Sequence, residues 1–144
     1  NFSVIDIGCG TGEWAKAFQN YGAEVIGVDL YAPPDTTVIK VIHADISHGI
    51  NCCYWDLAIC LEVAEHLPPK SSEPLIVGLA KAKTVLFSAA TPGQPGVSHI
   101  HCQPHEYWHD LFKEHGMEPE FIGDQFTEPV ADFYRRNMYF YTRP

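Results

Sequence analysis

At 144 residues the chain reads as a single domain, residues 1–144, long enough to bury a real core. Its make-up, 46% hydrophobic and 19% charged, is ordinary for a soluble globular protein, and no apolar run approaches the roughly 18–20 residues needed to span a membrane. A net charge of −9, with no long cluster of Lys or Arg, argues against a broad nucleic-acid footprint. Five cysteines follow no disulfide or zinc spacing, and no signal peptide precedes the first strand, so reduced thiols and a cytoplasmic setting are expected.

Val4-Ile5-Asp6-Ile7 reads as a buried strand, and Gly8, Gly10 and Gly12 follow at alternating positions. Glycines at a strand-to-helix turn let the backbone take positive φ and approach a ligand. The next helix, Glu13 to Tyr21, presents unpaired N–H groups at its start. Trp14, Phe18 and Tyr21 fall at helical spacing and are expected to pack on the sheet, with Gly22 as the C-terminal cap. Glu24–Val28 is a second strand, tipped by Asp29. An acidic residue at that tip, about 20 residues past the loop, suits two ribose hydroxyls. Residues 31–37 are turn-like around Pro33-Pro34-Asp35. Val38–Ile42 is a third apolar run, followed by Asp45-Ile46. Residues 47–55 are irregular, and Asp56–Leu61 reads as a fourth buried strand running into Glu62-Val63-Ala64-Glu65-His66.

Beyond it, Ser71 and Ser72 cap a helix that begins at Glu73 or Pro74, with Leu75, Ile76, Leu79 and Ala80 on its apolar face. Thr84–Ala89 is a fifth strand, and 91–96 is a loop beyond its carboxyl end. Pro104 opens a helix packed through Tyr107, Trp108, Leu111 and Phe112 and ending at Gly116. His105 and His109 lie on the solvated face of that helix in this reading. Strand six is expected at Glu120–Gly123, loop with a short helical piece at Phe126–Tyr134, and a last strand at Asn137–Thr142. Strands alternating with helices imply an α/β domain with a mostly parallel sheet.

The G-x-G-x-G spacing with Asp6 two residues ahead resembles motif I of the class I S-adenosylmethionine (SAM) methyltransferases. The D-L-x-x-x-x-E-V-x-E-H run from Asp56 to His66 resembles the small-molecule O-methyltransferases, including those of ubiquinone biosynthesis. The resemblance implies a Rossmann-like doubly wound sheet of seven strands in the order 3-2-1-4-5-7-6, with strand seven antiparallel. It also implies a helix before strand one, which this chain, whose first strand is expected to start at about residue 2, is expected to lack. The implied cofactor set is Asp6, Gly8, Cys9, Gly10, Gly12, Asp29, Leu30, Asp45, Ile46, Leu61 and Glu62, with SAM as methyl donor and S-adenosylhomocysteine (SAH) as product.

Methyl transfer from a sulfonium is an in-line displacement in which the protein mainly aligns donor and acceptor. A hydroxyl acceptor benefits from a base, and His suits neutral pH. His66, His99 and His101 are the candidates, with His99 preferred because it follows strand five. Glu62, Glu65 and His66 at i, i+3 and i+4 share a face if the segment is helical. With His99 or His101 as a further ligand, this pattern resembles the divalent-metal site of small-RNA 3′-end 2′-O-methyltransferases, and it would suit magnesium, manganese or iron. The leading expectation is O-methylation of a small molecule, without nucleic acid or membrane. The alternatives are metal-assisted 2′-O-methylation of an RNA 3′ end and a non-catalytic SAM-binding or docking module.

Overall fold

A computed structural model describes residues 1–35, 37–126 and 131–144. Seven strands form one sheet: β1 (Ser3–Ile7), β2 (Glu24–Val28), β3 (Val41–Ile42), β4 (Leu57–Leu61), β5 (Thr84–Ser88), β6 (Glu118–Phe121) and β7 (Tyr139–Thr142). Their order is β3-β2-β1-β4-β5-β7-β6, as the resemblance implied. β1 pairs in parallel with β2 and with β4, β4 with β5, and β2 with β3. β7 is antiparallel to β5 and to β6. Four helices complete the described fold: α1 (Glu13–Asn20), α2 (Ser72–Leu79), α3 (His105–Glu114) and α4 (Asp132–Asn137).

The period-2 pleat sorts the strand side chains into two cores. From β1 and β4, Ile5, Ile7, Ala58 and Cys60 join Leu75, Ile76 and Leu79 of α2 and Trp108 and Phe112 of α3. Val4, Leu57, Ile59 and Leu61 face the other way, with Leu86 and Met138, against Trp14 and Phe18 of α1 and Tyr134 of α4. Both faces are therefore covered, and β4, buried along its whole length, reads as an unbroken apolar run because neither face meets water. Chain connections leave β1 for β2 on one side while β4 lies on the other. A crevice opens at such a switch point, beyond the carboxyl ends of the strands, and open α/β sheets bind ligands there.

Several local expectations shift. β3 is two residues rather than five, because Val38 N–H bonds the Thr11 carbonyl at 3.0 Å instead of joining the ladder. β6 starts two residues early: Pro119, Glu120 and Phe121 pair with Tyr141, Phe140 and Tyr139, and Ile122–Gly123 turn into a 3-10 segment. The last strand starts at Tyr139, since Asn137 ends α4. Tyr21 is 95% exposed and forms no part of the α1 packing stripe. His105 and His109 are half-buried rather than solvated, bonded to Asn137 Oδ1 at 3.0 Å and to the Tyr141 hydroxyl at 2.7 Å. Of the loop expected before α4, residues 127–130 lie outside the described residues.

Candidate active site

The glycine loop turns the chain from β1 into α1 with three positive φ values, +73° at Gly8, +53° at Gly10 and +83° at Gly12. Two of these glycines are needed for different reasons. A Cβ at Gly8 would stand 2.5 Å from Val63 Cγ2, so the loop lies directly against the segment after β4. A Cβ at Gly10 would meet nothing within 4 Å, so there only the left-handed backbone calls for glycine. The Gly10 N–H donates to Asp29 Oδ2 at 2.8 Å, and Asp29 Oδ1 accepts from the Tyr31 N–H at 2.8 Å. Asp29 is thereby fixed at the β2 tip with further lone pairs on each oxygen to accept ligand hydroxyls.

Two cavities flank Gly8. The first, of about 310 Å³, is lined by Gly8, Asp29, Leu30 and Tyr31, by Ala44, Asp45 and Ile46, and by Glu62, Val63, His66 and Leu67. Acidic tips from two segments face an apolar wall there, which is the pattern a nucleoside needs. Asp45 Oδ1 accepts from the Ser47 N–H at 2.9 Å, and the Ser47 amide and hydroxyl hold its carboxyl below the usual range. The second, of about 250 Å³, is lined by Asp6, Gly8, Cys9, Gly10 and Thr11, with Glu13, Trp14, Leu61 and Tyr134. Asp6 is 4% exposed, and burial pushes its carboxyl up to about 7 against the lowering effect of the Ala15 amide. A carboxylate in that setting favours a cationic ligand group, which would relieve the cost of its charge. Of the implied cofactor residues, all but Gly12 line one or other cavity. Gly12 sits as the N-cap of α1.

The tip of β4 is strained. Glu62 has φ +54°, rare for a non-glycine residue. Its Oε1 accepts from Gln94 Nε2 at 2.8 Å and from Asn137 Nδ2 at 3.4 Å, while Oε2 is buried and accepts no hydrogen bond among the described residues. Asn137 is buried; its Nδ2 also donates to Gln94 Oε1 at 2.7 Å and its Oδ1 accepts from His105 Nε2. Strain held by such a lattice of bonds is typical of ligand-contacting positions. Gln94 and Asn137 carry no signal in the sequence, being 32 and 75 residues from Glu62.

After Glu62 the chain forms a 3-10 turn, Ala64–His66, not the α-helix that would put three ligands on one face. Glu62 therefore points to Gln94, and the cluster that assembles is Glu65, His66 and His99, whose ligand atoms lie within 4.8 Å of one another. The His66 Nδ1 lies 3.1 Å from the Ser98 carbonyl, and the His99 Nδ1 lies 3.2 Å from the Gln94 carbonyl. Both rings thus donate from Nδ1 and leave Nε2 with a lone pair. Glu65 is fully buried, and burial together with the nearby Glu62 charge pushes its carboxyl up to about 7. His99 Nε2 stands 4.0 Å from Glu65 Oε1. His66 lines the first cavity; His99 lies behind it, with ring centroids 4.9 Å apart. His101 is elsewhere, buried between α2 and α3 with Nε2 3.1 Å from Ser72 Oγ, where burial lowers its pKa.

A sheet in this order, with a glycine loop and an acidic β2 tip at its switch point, defines the class I SAM-dependent methyltransferase fold. Residues 2–73, half of the chain, match the family model described as a methyltransferase domain, and the chain belongs to that family. It is 32% identical over 104 residues to the ubiquinone biosynthesis O-methyltransferase of Glaesserella parasuis serovar 5 (strain SH0165), covering 58% of this chain and 43% of that protein. The corresponding enzyme of Serratia proteamaculans (strain 568) is 31% identical over 85 residues, 49% of this chain and 34% of that protein. The chain thus spans less than half the length of these relatives. Among solved structures, DesVI of Streptomyces venezuelae superposes with a TM-score of 0.74 at 11% identity, covering 99% of this chain and 84% of that one. Magnesium protoporphyrin IX methyltransferase (ChlM) from Synechocystis PCC 6803, with bound SAH, gives 0.69 at 19% identity, covering 98% and 74%. These structural likenesses establish the shared fold.

Proposed function

We propose that this domain transfers a methyl group from SAM to a small-molecule acceptor, at a hydroxyl oxygen. The carrying observation is the pair of cavities that meet at Gly8, one with the acidic tips Asp29 and Asp45, the other with the buried carboxyl of Asp6. Bound there, SAM supplies an electrophilic methyl group on a sulfonium. Asp29 accepts from ribose hydroxyls, Asp45 and Ile46 contact the base, and Asp6 offers charge to the amino-acid end. His66, whose Nε2 carries a lone pair at the rim of the first cavity, takes the acceptor's proton; His99 stands behind it as a second candidate base. The kinship to ubiquinone biosynthesis O-methyltransferases supports oxygen as the acceptor atom. The test is SAH release from SAM across a panel of phenols, catechols and amines. Turnover of hydroxyl compounds that falls about 100-fold in His66→Ala, within the usual range for a general base, supports the reading; turnover of amines alone contradicts it.

A second reading has its own observation. Glu65, His66 and His99 offer one carboxylate and two imidazole nitrogens, and each imidazole is oriented by a backbone carbonyl, as metal-ligating histidines usually are. A divalent cation there would answer the cost of burying Glu65 and could hold acceptor oxygens. An RNA 3′ end is the acceptor least suited to such a site, given a net charge of −9 on the chain. If the reading holds, manganese or magnesium raises the melting temperature of the protein, and Glu65→Gln abolishes the rise. Equal melting with metal and with EDTA contradicts it.

A further inference from the structure

We propose that the pocket under residues 91–95 is an acceptor-side subsite for a small carboxylate, anchored by Arg136. This inference rests on the methyl-transfer reading. The cavity, of about 270 Å³, is lined by Thr91, Pro92, Gly93, Gln94, Pro95 and Arg136. Its size is just below the usual range of ligand pockets and suits a compound of about one ring.

Three observations point to an anion. First, Arg136 has no hydrogen-bond or ion-pair partner among the described residues, whereas Arg135 bonds the Phe126 carbonyl and Arg143 bonds the carbonyls of Ala80 and Ala82. Arg136 is exposed and lines the pocket, so its guanidinium is open to an incoming anion. Its guanidinium is planar and matches a carboxylate through two parallel N–H bonds.

Second, the floor of the pocket is built rather than loose. Gln94 N–H donates to the Thr91 carbonyl at 3.1 Å, closing the turn. The Gln94 side chain is held at both ends, its Nε2 on Glu62 and its Oε1 on Asn137. Third, those bonds place the pocket beside the cofactor cleft. Glu62 lines the first cavity, and Gln94 lines the pocket and bonds Glu62 directly. Thr91 adds a hydroxyl to the lining.

The experiment uses the full chain saturated with SAH and matched probes titrated by calorimetry: salicylate, its neutral amide salicylamide, and phenyl phosphate. SAH affinity is measured first in wild type, Arg136→Gln and Arg136→Lys, and reports on fold and cofactor site. Failure of wild type to bind SAH overturns the cofactor reading and the subsite with it. With SAH bound, salicylate is expected to bind at least about tenfold tighter than salicylamide, as a paired carboxylate warrants. Arg136→Gln removes that preference with SAH affinity unchanged, and Arg136→Lys, which keeps the charge without the fork, retains part of it. Equal affinity for the two probes, no saturable binding of either, or an undiminished preference in Arg136→Gln overturns the subsite. A preference for phenyl phosphate over salicylate overturns the carboxylate assignment.

Discussion

Asp6 and Asp29 are both acidic and both at strand tips, yet their surroundings ask different things of them. Asp29 is tethered by two amides and faces the larger cavity. Replacing it with Ala removes the charged acceptor proposed for the ribose hydroxyls, worth about 1.5–3 kcal/mol, so SAH affinity should fall about ten- to a hundredfold in calorimetric titration. Asp6 is buried, with its pKa raised from 3.8 to about 7. A raised carboxyl binds its proton more tightly folded than unfolded, so the stability it contributes is full below about pH 4. It is lost as pH rises toward 7. Glu65, raised from 4.5 to about 7 by burial and by Glu62, has the same sign. Denaturant unfolding of the ligand-free protein should show stability declining from pH 4 to pH 7, with a shallower decline in Asp6→Asn. A stability that climbs across that window contradicts the burial argument.

Among the elements, the loop between β1 and α1 and the turn after β4 form one unit, because Gly8 packs on Val63. Gly8→Ala forces a Cβ into that contact at a φ of +73° and should cost about 1–3 kcal/mol, read as a lowered melting temperature together with weakened SAH binding. Asn137 ties α4 to Gln94, Glu62 and His105. Its replacement by Ala strands several buried polar groups, at about 1–3 kcal/mol. It should raise the acceptor KM more than it weakens SAH, because it holds Gln94 in the lining of the proposed acceptor subsite. What is legible in the sequence follows the same division. β1, β2, β4 and β5 announce themselves because strands covered on both faces are mostly apolar. The cavity-lining acids are legible because each sits at a fixed offset from a strand end. The edges β3 and β6 depart from their expected limits by a few residues, since an edge strand's limits are set by its single partner. The α-helix that would align Glu62, Glu65 and His66 does not form, because Glu62 takes a left-handed conformation that spacing alone does not reveal. The Gln94–Asn137 link joins segments 43 residues apart and leaves no local pattern.

Over the whole molecule, the sheet order does most of the organising. It brings the tips of β1, β2 and β4 and the loop after β5 to one edge, while no helix among the described residues is long and apolar enough to cross a membrane. The acidic balance fits small ligands held in clefts better than extended polyanions, and the arginine left unpaired among the described residues sits in a pocket rather than on a basic face. On the proposed reading, the two cavities flanking Gly8 form one cofactor site. A thermal melt with SAH tests it most directly. At about 100 times its dissociation constant a ligand adds about 2.7 kcal/mol, which raises the melting temperature by several degrees in a domain of this size. That rise is expected in the wild type, and at the same SAH concentration a ten- to hundredfold weaker Asp29→Ala should keep only about 0.4–1.4 kcal/mol of it. An unchanged melting temperature in the wild type, at SAH concentrations up to the millimolar range, would contradict it.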